Sequence, residues 1–88
     1  MSRLFSPGCL RITPGISELI IDGADIPSYL NRHLSGDWGD ICDEAKDANN
    51  HAARSGKTIL SAYYVTPQTE IWILTAGGCT TIMLPSER

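Results

Sequence analysis

A chain of 88 residues with 42% apolar and 19% charged side chains is enough for one domain, with little core left over for a deep internal pocket. That balance excludes intrinsic disorder. No apolar run approaches the ~20 residues of a membrane span, and residues 1–7 lack the apolar stretch of a secretory leader, so the expected compartment is the cytoplasm. The net charge is −3 and the seven basic residues are scattered, which disfavours direct nucleic-acid binding.

Residues 1–7 read as a flexible arm, followed by a short strand, Cys9-Leu10-Arg11-Ile12. Thr13-Pro14 is a helix start, with Thr13 as cap and Pro14 in the first turn. Ile16, Leu19 and Ile20 recur at helical spacing up to Gly23, a left-handed terminator. A rival reading makes Glu18 to Asp22 a strand, because Ile20 and Ile21 are β-branched. Asp25 opens a second helix with Pro27 in its first turn and an apolar stripe of Ile26, Leu30 and Leu34; Gly36 ends it. Asp40 is the expected cap of a third helix, Ile41 to Ser55, closed by Gly56, with Ile41, Ala45, Ala48 and Ala52 as its inner face.

The last third is β. Thr58 to Val65 alternates, Thr66-Pro67-Gln68-Thr69 turns, Glu70 to Thr75 is β-branched and aromatic, Ala76-Gly77-Gly78 turns again, and Thr80 to Leu84 stops at Pro85. The expected fold is a single α+β domain over residues 1–88. It has a short N-terminal strand, three helices and a three-stranded antiparallel meander (β-α-α-α-β-β-β). The helices cover one sheet face and the first strand pairs at an edge. Trp72 lies between Ile71 and Ile73, so one of those two faces is core, and Tyr63, Tyr64 and Trp72 are candidates for an aromatic patch on the other.

The most unusual stretch is Arg32-His33-Leu34-Ser35-Gly36-Asp37-Trp38-Gly39-Asp40. In one reading Trp38 plugs the helix junction and Asp40 caps the next helix. In the other, Trp38 is an exposed anchor beside Arg32, two residue types enriched in interface hot spots. Asp37, Asp40, Asp43, Glu44 and Asp47 oppose a single Lys46. The first-turn acids suit the helix dipole, yet such a patch also suits a basic protein surface, including one that grips nucleic acid. The candidate partner-binding residues are therefore Arg32, Asp37, Trp38, Asp40, Asp43 and Asp47.

Catalytic signals are sparse. No CxxC, HExxH, GxSxG, phosphate loop or dinucleotide fingerprint occurs, so neither a metal nor a cofactor is expected. Cys9, Cys42 and Cys79 are odd in number and widely spaced, which reads as reduced thiols filling the core. His33, Asp37 and Asp40 are the residues that a hydrolase or nuclease reading would use.

Thr13-Pro14-Gly15, Arg32-His33, the run Ser35-Gly36-Asp37-Trp38-Gly39-Asp40, Ser61-Ala62-Tyr63, Ile71-Trp72-Ile73, Thr80-Thr81 and Leu84-Pro85 together resemble a group of small bacterial plasmid-related proteins. Some of these carry the label of a type I restriction enzyme M subunit. The resemblance runs from about Cys9 to Glu87. It transfers no catalytic residue, because a chain this short lacks the cofactor motifs of a methyltransferase. After the tryptophan strand the group reads Thr-Glu-Ala-Asp-Arg, where this chain has Thr75-Ala76-Gly77-Gly78-Cys79. What the resemblance implies is a setting: accessory genes on plasmids, phages and integrated elements. The expected function is thus a non-enzymatic, partner-binding accessory protein of a mobile element. One expected role is as an anti-defence inhibitor that occupies the surface of a CRISPR effector or restriction enzyme. The alternatives are the small hydrolase or nuclease and a structural homodimer joined by a sheet edge or aromatic face.

Overall fold

The computed structural model describes residues 3–87. In chain order the elements are β1 (Cys9–Ile12), α1 (Pro14–Ile21), α2 (Ile26–Leu34), α3 (Asp43–Ser55), β2 (Ile59–Thr66), β3 (Thr69–Ala76), β4 (Cys79–Met83) and a 3-10 turn (Pro85–Glu87). The α+β class and the element order are as expected. The sheet is not: it is a mixed four-stranded sheet, ordered β1-β4-β3-β2, with β1 parallel to β4. The crossover that a parallel pair requires is supplied by the intervening helices and hairpins. Close backbone approach holds β1 there. Cys9 N–H donates to the Gly78 carbonyl at 3.0 Å and Thr13 N–H to that of Ile82 at 3.2 Å. A Cβ on Gly8, which sits at φ +64, would lie 2.0 Å from the Gly78 oxygen, so only glycine fits.

Both hairpins follow from their turn residues. Ala76 pairs with Cys79 across the two-residue loop Gly77-Gly78, whose φ values of +59 and +79 are those of a type I′ turn matched to strand twist. Pro67-Gln68 joins β2 to β3 without positive φ, and a register shift between Tyr64 and Thr66 accompanies it.

The alternation in β3 puts Ile71 and Ile73 in the core and Trp72, half-buried, on the opposite face. In β2 the core residues are Ile59, Ser61 and Tyr63; Tyr64 faces the other way. The aromatic patch therefore contains Tyr64 and Trp72 but not Tyr63. Ile16 of α1 and Ile26 of α2 close the main core with Tyr63, Ile71, Ile73 and Ile82. The stretch from Glu18 to Ile21 is helical, not a strand. Thr13 precedes this helix, but its hydroxyl donates to the Glu87 carboxylate at 2.5 Å, and the same carboxylate accepts from Gly15 N–H. Glu87 thereby takes over the capping role expected of Thr13.

Helix α3 begins at Asp43 rather than Ile41, and Asp40 does not cap it. The Asp40 N–H is instead bonded to the Ala62 carbonyl at 2.7 Å, which ties this end of the junction to β2 before the helix starts. The inner face also shifts. Asn49 and Ala52 are the buried residues, Ala45 is half-buried, and Ala48 is exposed. Of the expected arm, residues 1 and 2 lie outside the described residues; in the rest, Leu4 N–H donates to the Leu34 carbonyl at 2.8 Å and Phe5 stacks on Trp38.

Among the described residues, no helix is long and apolar enough to cross a membrane.

Candidate functional site

The junction between α2 and α3 follows from its two glycines and its tryptophan. Gly36 (φ +90) and Gly39 (φ +75) take left-handed backbone. A Cβ on Gly39 would stand 2.1 Å from the Ala62 oxygen. That intimacy lets Gly39 form a parallel bridge with Ala62, flanked by Ala62 N–H to the Trp38 carbonyl (3.3 Å) and Asp40 N–H to the Ala62 carbonyl. Two residues earlier on the same strand edge, Asn49 of α3 clamps Leu60: its Nδ2 donates to the Leu60 carbonyl at 2.7 Å and its Oδ1 accepts from Leu60 N–H at 3.3 Å. The outer edge of β2 is thus capped by the junction and by one side chain, as exposed strand edges require. Asn49 was not foreseen as functional or structural. Its signal in the sequence is a polar residue at the fourth position after Ala45 and three before Ala52, on the helix face directed inward.

Trp38 is 3% exposed. Its Nε1–H donates to Asn50 Oδ1 at 2.9 Å, and it packs with Ala52, Ile59 and Phe5. This overturns the exposed-anchor reading: Trp38 is the plug of the junction, and its indole is closed to a partner. Arg32 and Asp37 lie outside it, with side chains 44% and 55% exposed, and form a two-pronged ion pair. Nε donates to Oδ2 at 2.7 Å and Nη2 to Oδ1 at 3.3 Å. The guanidinium also sits 4.7 Å from the Tyr63 ring centroid, within cation–π range. The hydrogen bond from Arg32 is the main cause that holds the Asp37 carboxyl below its ordinary pKa. Being exposed, the pair is worth about 1 kcal/mol or less.

Asp40, Asp43, Glu44 and Asp47 are all exposed. Among the described residues none of the four is in an ion pair; the one pair there is Arg32–Asp37. The acidic patch is therefore real as surface, and Lys46 is half-buried beside it.

His33 is not a surface base. It is wholly buried, with Nδ1 2.5 Å from Ser61 Oγ and Nε2 2.9 Å from Thr75 Oγ1. Thr75 Oγ1 lies 2.8 Å from Thr80 Oγ1, whose hydroxyl donates to the Pro7 carbonyl at 2.8 Å. That carbonyl only accepts, so the direction of the whole chain is fixed. Thr80 gives its proton to Pro7, Thr75 gives its own to Thr80, and His33 must therefore donate through Nε2 and accept from Ser61 at Nδ1. Burial lowers its pKa to about 4, consistent with a ring held neutral by an acceptor role at Nδ1. Neither ring nitrogen meets a carboxylate, and the Asp37 oxygens are bonded to Arg32 and the Gly39 N–H. His33, Asp37 and Asp40 are thus not brought together as a catalytic group. The ladder was missed from the sequence. Its signal is that Ser61, Thr75 and Thr80 occupy inward positions in strands whose other inward residues are apolar.

The cysteines also depart from the expected core role. Cys9 and Cys42 are exposed and Cys79 is half-buried.

Comparison of the chain with family models, curated proteins and solved structures gives no match.

Proposed function

We propose that this chain is a non-enzymatic accessory protein that binds a partner by occupying a basic protein surface, with Asp40, Asp43 and Asp47 as its docking carboxylates and the Arg32–Asp37 pair at their border. The observation that carries this reading is the set of exposed acids without an ion-pair partner among the described residues, borne on a segment that Trp38 and Asn49 fasten to the sheet. Such a surface presents its charge without the ordering cost that a loose acidic tail incurs on binding. Trp38 serves the site by holding it, not by touching the partner. In the setting implied by the plasmid-related proteins, the fitting partner is the nucleic-acid-binding face of a CRISPR effector or restriction enzyme, and the outcome is an anti-defence effect.

The test is competition. Wild-type protein should displace DNA from such a complex, with an affinity that falls as salt rises. Reversing Asp40, Asp43 and Asp47 to lysine together should weaken it by about tenfold or more. Displacement that ignores both salt and charge reversal would remove the acidic face from the account.

A homodimer is favoured by a separate feature. β1 is a sheet edge whose four residues are all exposed, with Leu10 and Ile12 about half exposed and Ile21 of α1 at 82%. Pairing of two β1 strands would cover them. Light scattering at micromolar concentration should then give twice the chain mass, and Leu10→Lys should return it to one; a monomer throughout rejects the dimer.

A further inference from the structure

We propose that Cys9 and Cys79 form an oxidisable dithiol, a site for thiol–disulfide exchange with small disulfides, which closes reversibly to a cross-strand disulfide between β1 and β4. The two residues are direct partners in the parallel ladder. Side chains of such partners project from the same sheet face, and neighbouring strands lie about 4.8 Å apart, inside the roughly 4.4–6.8 Å between Cα atoms that a disulfide spans. The placement is rigid. Cys9 N–H is bonded to the Gly78 carbonyl next to Cys79, and Thr80 is bonded to the Pro7 carbonyl on the other side. Cys9 is exposed and Cys79 half-exposed, so a small oxidant reaches them.

The environment also divides the labour. Hydrogen bonding from the Cys79 thiol, and next from the Arg11 guanidinium, lowers the pKa of Cys9, while the same thiol contact raises that of Cys79. Cys9 is also the more exposed of the two, so it is the attacking thiolate and Cys79 the resolving thiol. With glutathione disulfide as oxidant, the Cys9 thiolate attacks one sulfur, and glutathione leaves as thiolate from a mixed disulfide. Cys79, losing its proton, then attacks the Cys9 sulfur and expels the second glutathione. Two protein thiols are oxidised and one glutathione disulfide is reduced to two thiols. Closure ties β1, and with it the arm that carries Phe5 over His33 and Trp38, covalently to the hairpin.

The experiment is a glutathione-disulfide titration followed by intact mass and peptide mapping. The expected result is loss of two hydrogens with Cys9 linked to Cys79, reversed by dithiothreitol. Cys79→Ser should trap one glutathionyl group on Cys9, and Cys9→Ser should leave Cys79 reacting several-fold more slowly. Both positions are accessible, so serine there leaves the fold in place. Persistent glutathionylation of the wild type without closure, covalent dimers, or oxidation at Cys42 in preference to the pair would overturn the proposal.

Discussion

Replacing Trp38 with alanine should lower stability by about 3–5 kcal/mol, a large share of what a domain of this size has in total. The ring is buried against Phe5, Ala52 and Ile59, and its removal leaves a cavity under the junction together with an Asn50 oxygen without its donor. The melting temperature should drop by well over ~10 °C, and calorimetry will read it directly. Trp38→Phe restores most of the volume and not the N–H, so it should recover more than half of the loss. An anchor residue would behave in the opposite way, leaving the melting temperature intact and harming only binding. A shift of less than about 1 kcal/mol would therefore contradict the plug.

Acid should unfold this protein through one histidine. In the unfolded chain His33 titrates near its ordinary value of 6.5, whereas burial lowers the folded value to about 4. A lowered pKa means that the unfolded state binds the proton first. The contribution is thus fully present above pH 6.5 and is lost as pH falls from there toward 4. By pH 4 the loss amounts to roughly 3 kcal/mol. Urea unfolding of wild type and His33→Asn across this window isolates the effect, since the substitution removes this one imidazole and leaves the rest of the sequence common to both. The wild-type curve should fall more steeply, by about one proton. Nitrogen chemical shifts should show the Nε2–H tautomer down to about pH 4. A ring that titrates near 6.5 in the folded protein would show that the hydroxyl ladder does not hold it neutral.

How far the sequence reaches depends on whether the cause is local. Asp25 was legible as a cap because its carboxylate accepts from Ser28, three residues on, through both backbone and hydroxyl. Gly77-Gly78 was legible as a hairpin because two consecutive positive φ values suit glycine best. The junction stood out for a similar reason: two glycines bracket a bulky indole. What was not legible rests on partners far along the chain. The parallel register of β1 depends on β4, some seventy residues away. The start of α3 depends on Ala62 taking the Asp40 N–H, so a local capping rule placed the helix too early. His33 looked like a polar residue at a helix end; the three hydroxyls that bury it come from three strands. For the candidate site, composition revealed the run of acids, while only the fold distinguishes Asp37, neutralised by Arg32, from Asp40, Asp43 and Asp47.

The two rims of the sheet are not equivalent. Along β2 the outward amide and carbonyl groups of Leu60 and Ala62 are already taken, while β1 lies at the opposite margin with its residues in the open. Chain-like growth by strand addition needs two receptive ends on every molecule. Here the Leu60–Ala62 stretch of one end is already occupied, so a chain adding at β1 would meet no equally open strand at the other rim, which works against fibre growth.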